Sequence, residues 1–346
     1  MQCPDDNEIV AYAEGRVRLG RAAEIELHLD ACPACAGCVA EAARRHTAER
    51  QITRVLGVEP ASEPPVPLPG DRIGRYRVGA VLGRGGMGTV VQAHDAELDR
   101  EVALKLLRRS VAELPDGATR LVREARSMAQ LAHPNVVAVF EVGIADARVF
   151  VAMELVEGHD LRSWLRTPRS TEAILEVFVQ AGRGLHAAHE AGVLHRDFKP
   201  DNVLVGREAG PHARPRVRVA DFGLAQSLEG ATSNVGTLSG GSVQHSSARL
   251  THAGQVLGTP AYMAPEQHGD GAIDPRADQY AFCAALYEAL WGRLPFVGRN
   301  VDEVAAAKLR GPPTPPREPD VPANVRRAVL RGLAVQPSAR HRDMLA

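Results

Sequence analysis

At 346 residues the chain is long enough for two to three domains, and its 45% hydrophobic and 24% charged content is that of globular protein. A net charge of -1 offers none of the basic surplus that nucleic acid or an anionic membrane usually calls for, so neither is an expected partner. No run approaches the roughly 18 apolar residues of a membrane span, and Met1-Gln2-Cys3-Pro4 lacks the basic and apolar regions of a secretory leader, so the expected location is cytoplasmic.

In chain order, the first feature is the cysteines. Cys3, Cys32, Cys35 and Cys38 crowd the first 38 residues and only Cys283 lies elsewhere, which in a reducing compartment points to metal ligation more than to disulfides. The apolar spacing predicts helices over Glu8–Leu19 and Ala22–Leu29, broken at Gly20. His28 and Cys32 then share a helical face, and Cys32-x-x-Cys35 can place two thiolates on one tetrahedral ion. Cys3 is the expected fourth ligand, returned by the helical hairpin, and Cys38 is its rival. The bland alternative is a helical tail with incidental thiols. A third helix over Cys38–Leu56 carries many charges and is expected to be solvated. So short a segment, with few aromatics, makes a poor core, and Zn²⁺ is a sensible staple for it. The pattern Cys3…His28-x-x-x-Cys32-x-x-Cys35 resembles the zinc-binding anti-sigma-factor domain of bacteria. The resemblance implies a small all-α zinc fold over residues 1–58 more firmly than it implies a sigma factor as partner. Residues 59–70, with five prolines between Pro60 and Pro69, read as an extended linker.

From residue 71 the pattern changes. Arg75–Leu82 and Thr89–Ala93 are expected strands, joined by Gly83-Arg84-Gly85-Gly86-Met87-Gly88. A dinucleotide-binding turn would need a helix directly after the glycines, whereas Thr89-Val90-Val91 continues as strand. A glycine-rich hairpin folded over phosphates fits better. Glu101–Leu107 is an apolar strand interrupted by Lys105, which needs an anionic partner if buried. The candidates are phosphates and Glu124, on a predicted helix Thr119–Leu131. Strands over Asn135–Val142 and Val149–Met153 would complete a five-stranded antiparallel lobe. The Glu154–Gly158 connector would then offer backbone groups of Glu154 and Val156 to an adenine edge, with Met153 behind them.

Beyond Leu161 the chain becomes helical, with a long amphipathic helix over Thr171–Ala191 in which His186 and His189 look like ordinary helix residues. His195-Arg196-Asp197-Phe198-Lys199-Pro200-Asp201-Asn202 follows, then Val203-Leu204-Val205, and later Asp221-Phe222-Gly223. Alone, this could be an acidic surface loop. It also supplies what a phosphoryl-transfer site needs: one carboxylate for the hydroxyl, and a carboxylate and an amide for magnesium.

Six ordered motifs now stand in series: Gly83-x-Gly85-x-x-Gly88-x-Val90, Val102-Ala103-Leu104-Lys105, Glu124, His195-Arg196-Asp197…Asn202, Asp221-Phe222-Gly223 and Ala264-Pro265-Glu266. Together they resemble a protein kinase, most closely the eukaryotic-like Ser/Thr kinases of bacteria. The resemblance implies a bilobal α+β fold over residues 71–346: an antiparallel five-stranded N-lobe and hinge (71–158) and a mainly helical C-lobe (159–346). It implies that Asp197 orients the acceptor hydroxyl and that Lys199 neutralises the γ-phosphate. Lys105 would grip the α- and β-phosphates, braced by Glu124, and Asn202 and Asp221 would hold Mg²⁺, with Mn²⁺ as a substitute. Leu82, Gly83, Arg84, Gly85, Gly86, Met87, Gly88, Val90, Ala103, Glu154 and Val156 would surround ATP. Lys199, two places after Asp197, and Thr259 agree with Ser/Thr specificity.

The 34 residues between Gly223 and Gly258 are rich in Ser, Thr and Gly, consistent with disorder in the unmodified chain. Thr251 is the expected autophosphorylation site, with Ser246 and Ser247 secondary, and Arg196 is a cation that such a phosphate could engage. Further on, a helix from Asp278 to Leu290 would bury Cys283. Asp278 matches the family position that supports the catalytic-loop backbone, and Arg340 the one that pairs with Glu266. The family's last helix would only be starting at Leu345-Ala346. A binding module that sequesters a sigma factor or another partner, with the kinase secondary, is the alternative function.

Overall fold

The computed structural model describes residues 25, 28, 29, 32, 35, 66–85, 88–107, 131–145, 148–206, 215–222, 249–250, 256–257, 259–268, 273–316 and 321–346. Its contacts divide the chain into two compact units, residues 1–64 and 65–346, with the division inside the proline-rich stretch. In the first unit Ile25, His28 and Cys35 are buried, and helix is described at residues 25, 28, 29 and 35.

The second unit begins with an antiparallel sheet whose strands are β1 (Arg72–Ile73), β2 (Tyr76–Gly85), β3 (Gly88–Asp95), β4 (Arg100–Leu107), β5 (Val139–Ala145) and β6 (Arg148–Glu154), in spatial order β1-β2-β3-β4-β6-β5. Six strands stand where five were expected, because Arg72 and Ile73 fold back on Arg77 and Tyr76. Alternation places Tyr76, Val78, Val91, Ala93, Val102, Leu104 and Phe150 in one apolar layer. The β2–β3 hairpin closes with Gly85 opposite Gly88. At Gly88, with φ 149°, a Cβ would run into the Leu106 carbonyl of β4, so only glycine lets the hairpin lie this close.

The expected strand over Asn135–Val142 is corrected: its ladder to β6 begins only at Val139. The residues before it pair elsewhere. Val137 N–H donates to the Val219 carbonyl and Val219 N–H to the Asn135 carbonyl, both at 2.9 Å, so this stretch is stitched to the helical half of the unit.

That half holds a three-stranded sheet, β7 (Gly158–Asp160), β8 (Val203–Gly206) and β9 (Arg216–Val219). Helices α1 (Leu161–Trp164), α2 (Thr171–Glu190), α3 (Thr259–Tyr262), α4 (Pro275–Trp291), α5 (Val301–Leu309) and α6 (Ala323–Gly332) surround it. The Ser170 side chain caps α2, and Asp274 caps α4 with Pro275 at its first position. At Gly184 a Cβ would strike the Asn135 carbonyl, so α2 depends on a missing side chain to reach β9. The α4 helix is the buried centre, and Cys283 lies within it as a core thiol whose pKa burial raises to about 12. Within the 224–257 stretch, β10 (Arg249–Leu250) pairs antiparallel with β11 (Val256–Leu257), so it carries a short ribbon that its composition did not suggest. Among the described residues no helix is long and apolar enough to cross a membrane.

Candidate active site

His195 to Asn202 form a loop between α2 and β8, and it is held from below. The Asp278 carboxylate of α4, 2% exposed, accepts the backbone N–H of His195 and of Arg196, both at 2.7 Å. His189 of α2 donates its Nε2–H to the same carboxylate at 2.8 Å. His189 looked unremarkable in the sequence; its partner lies 89 residues away, beyond any local pattern.

Arg196 has φ 64° and Asp221 φ 59°, left-handed values that cost a non-glycine residue on the order of 1–3 kcal/mol. At Arg196 the tether from Asp278 offsets that cost, and Gln267 Nε2 adds a second by donating to the Arg196 carbonyl at 3.0 Å. His195 is fully buried, and burial lowers its pKa, so the neutral ring donates from Nε2 to the Ala220 carbonyl at 3.0 Å. Its Nδ1 then accepts from the Asp197 N–H at 3.3 Å. An aromatic column supports this floor, from Phe222 through His195, Phe198 and Phe282 to Phe178, with successive ring centroids 4.7–5.7 Å apart.

On that floor, Lys199 Nζ donates to Asp197 Oδ2 at 2.7 Å. Asn202 Nδ2 donates to the Asp197 carbonyl at 2.8 Å, which fixes the orientation of its amide. Ala220 N–H donates to the Asn202 carbonyl at 2.8 Å, tying the loop to the residue before Asp221. Across the cleft, Lys105 of β4 pairs through Nζ with Asp221 Oδ1 at 2.8 Å. Burial raises the pKa of the Asp221 carboxyl, but the Lys105 ammonium and its hydrogen bond outweigh that and hold it below the usual range. An amide oxygen and a carboxylate are hard donors of the kind Mg²⁺ takes, so the residues fit that ion.

The roof and connector complete the site. Val90 lies opposite Lys105, Gly83 opposite Val90, Arg84 opposite Thr89, and Ala103 opposite Met153. Leu82 is exposed, and Met153 is buried. Glu154 N–H donates to the Ala138 carbonyl at 2.9 Å and is therefore already engaged. The Glu154 carboxylate is drawn away by Arg218 of β9, whose Nε and Nη2 both donate at 2.9 Å. Its two members lie 64 residues apart, so no local pattern marks the pair. Gly86, Met87 and Glu124 lie outside the described residues, as do Thr251, Ser246 and Ser247. The expected contact of Arg340 with Glu266 is present as two bonds, at 2.6 and 2.8 Å.

In the first unit, His28 Nε2 lies 3.4 Å from Cys35 Sγ, and ligand atoms of His28, Cys32 and Cys35 all fall within 4.8 Å of one another. One nitrogen and two sulfurs converging on a partly buried point suit Zn²⁺. Cys3 and Cys38 lie outside the described residues.

Residues 76–341 match the family model described as the protein kinase domain, and the chain belongs to that family. It is 35% identical over 289 residues to serine/threonine-protein kinase Pkn1 of Myxococcus xanthus, covering 83% of this chain and 39% of the relative. It is 34% identical over 275 residues to serine/threonine-protein kinase PknB of Mycobacterium leprae, covering 77% and 41%. The chain thus spans about two fifths of the length of these relatives. The kinase domain of Mycobacterium tuberculosis PknI superposes with a TM-score of 0.58 at 26% identity, covering 81% of this chain and 96% of that one. Membership of the family implies ATP and Mg²⁺.

The Lys105–Asp221 pair gives a prediction with a definite sign. A carboxyl held below its unfolded pKa adds stability above about pH 4 and loses it as pH falls through the folded value. In Lys105→Met the largest opposing influence on Asp221 is gone, so burial pushes its pKa upward against only the weaker pull of His195 and Lys199, and the carboxylate loses its ion pair at neutral pH. Denaturant unfolding at pH 7 is expected to show a loss of about 2 kcal/mol, discounted for the 30% exposure of the Asp221 side chain. The gap from wild type should narrow towards pH 4.

Proposed function

We propose that residues 71–346 act as a Ser/Thr protein kinase, transferring the γ-phosphoryl group of ATP to hydroxyls of protein substrates. One observation carries the reading: Asp197, Lys199 and Asn202 share one hydrogen-bonded loop, and Asp221, joined to that loop through Ala220, is paired with Lys105. Asp197 would orient the acceptor hydroxyl and take its proton, and Lys199 beside it would offset charge on the transferred group. Lys105 is held ready for the α- and β-phosphates, with Glu124 as its expected brace once nucleotide is bound. Asn202 and Asp221 would hold Mg²⁺, or Mn²⁺ in its place, which when bound neutralises phosphate charge. The glycine hairpin from Leu82 to Val90, with Ala103, the Glu154 carbonyl and Val156, would enclose the nucleotide. A cytoplasmic setting, where ATP is abundant, belongs to this reading.

Label transfer from γ-labelled ATP to a general acceptor protein tests it. Asp197→Asn and Lys105→Met should each reduce the rate by at least about a hundredfold, and wild-type activity in Asp197→Asn would contradict the assignment. Autophosphorylation at Thr251, with Ser246 and Ser247 secondary, is part of the same proposal, supported by the composition of the 224–257 stretch and the nearness in sequence of Arg196 to Asp197. Phosphopeptide mapping after incubation with Mg-ATP should find Thr251 first; full activity of Thr251→Ala would count against it.

For residues 1–58 we infer a zinc-binding module that regulates the kinase or holds a protein partner, with His28, Cys32 and Cys35 as ligands and Cys3 or Cys38 as the fourth. The alternative function, capture of a sigma factor with the kinase secondary, rests on the same module and is supported only by its ligand pattern. Metal analysis of the full chain should find zinc close to one per chain, falling to background in the double variant Cys32→Ser/Cys35→Ser. Equal zinc in both would remove the site.

A further inference from the structure

The peptide unit between Arg196 and Asp197 is the last backbone step before the Asp197 carboxylate, and both of its polar ends are held. Its N–H, that of Asp197, donates to the His195 carbonyl at 2.8 Å and lies 3.3 Å from His195 Nδ1. Its carbonyl, that of Arg196, accepts from Gln267 Nε2 at 3.0 Å. Arg196 sits at φ 64°, so local preference does not favour this peptide plane and its hydrogen-bond partners must hold it.

Gln267 lies 71 residues further along the chain, and it is itself fixed. It belongs to a short 3₁₀ helix, Pro265–His268. Its backbone N–H donates to the Ala264 carbonyl at 3.0 Å, and its Oε1 accepts the Ala264 N–H at 2.8 Å. Those contacts decide which way the amide faces, because a flipped amide would set its NH₂ against an N–H and its oxygen against a carbonyl. Beside it, the Glu266 carboxylate is gripped by Arg340, which is 2% exposed. Arg340 also donates to the carbonyls of Arg276, Ala334 and Val335. The 3₁₀ helix is thus riveted to α4 and to the segment after α6, and Gln267 reaches from it to the Arg196 carbonyl.

We propose that Gln267 is a positioning residue for Asp197: by donating to the Arg196 carbonyl it sets the peptide plane from which the Asp197 carboxylate projects. Its amide is spent on two backbone groups, so it acts through Asp197 and not on a substrate. The role rests on the transferase reading above, and two controls keep the two apart. Wild-type transfer that falls in Asp197→Asn upholds the reading whatever the Gln267 variants do; no wild-type transfer sinks both.

The full chain would be assayed for phosphate transfer to myelin basic protein in two variants. Gln267→Glu keeps the side-chain size and an acceptor for the Ala264 N–H but offers the Arg196 carbonyl no donor. Gln267→Met loses both bonds and, being neutral, controls for the added charge. The positioning role predicts kcat lowered about tenfold in each, with KM for ATP within about twofold of wild type. The thermal unfolding midpoint should stay at the wild-type value. Introduced into Asp197→Asn, either change should leave the residual transfer rate within about twofold, since a group that acts through Asp197 has nothing left to position. Wild-type kcat in Gln267→Glu, a full further loss in the Asp197→Asn background, or failure of both variants to fold would each overturn the role.

Discussion

The buried carboxylate of Asp278 is the constraint on which the rest of the site depends. It accepts two consecutive backbone N–H groups, from His195 and Arg196, and so holds Arg196 in a left-handed conformation that its side chain does not favour. That bend turns the chain so that Asp197, Lys199 and Asn202 follow on one hydrogen-bonded loop. A carboxylate this deep is itself costly. Three donors, His189 included, satisfy it, and the capped helix α4 that carries it buries twelve of its seventeen residues.

A second layer of long-range pairs sets the cleft around this loop. Lys105 and Asp221 neutralise each other across it, so bound nucleotide would have to exchange that contact for phosphate and metal contacts. Glu154 and Arg218 tie the connector to β9, with Arg218 three residues before Asp221. The 260–267 segment is tied in turn to Lys308 at one end and, through Gln267, to the Arg196 carbonyl at the other.

Much of this was legible in the sequence, for identifiable reasons. Strand alternation after Gly88 distinguished a glycine hairpin from a dinucleotide-binding turn, and the hairpin register agrees. The ordered motifs from Gly83 to Glu266 pointed to the kinase family, to which the chain belongs. What escaped was long-range or irregular. The apolar run at Asn135–Val142 looked like one strand, but Asn135 and Val137 bond to Val219 instead of continuing the ladder. The short helix α5 was not anticipated, since its buried face is only Val304, Ala307 and Lys308, and a lysine inside a core breaks the expected apolar pattern. No local pattern marks Arg162, Arg218 or His189, because their partners Asp201, Tyr262, Glu154 and Asp278 lie 39 to 100 residues away.

The measurement that bears most directly on this account compares Asp278→Ala with wild type, by equilibrium ATP binding and by single-turnover phosphate transfer. If Asp278 presents Asp197 through the backbone of His195 and Arg196, transfer should fall by about a hundredfold, as for a misplacement of about 1 Å. ATP affinity should stay near the wild-type value, because Lys105 and the glycine hairpin do not rest on that carboxylate. Transfer at the wild-type rate in a folded Asp278→Ala chain would contradict it.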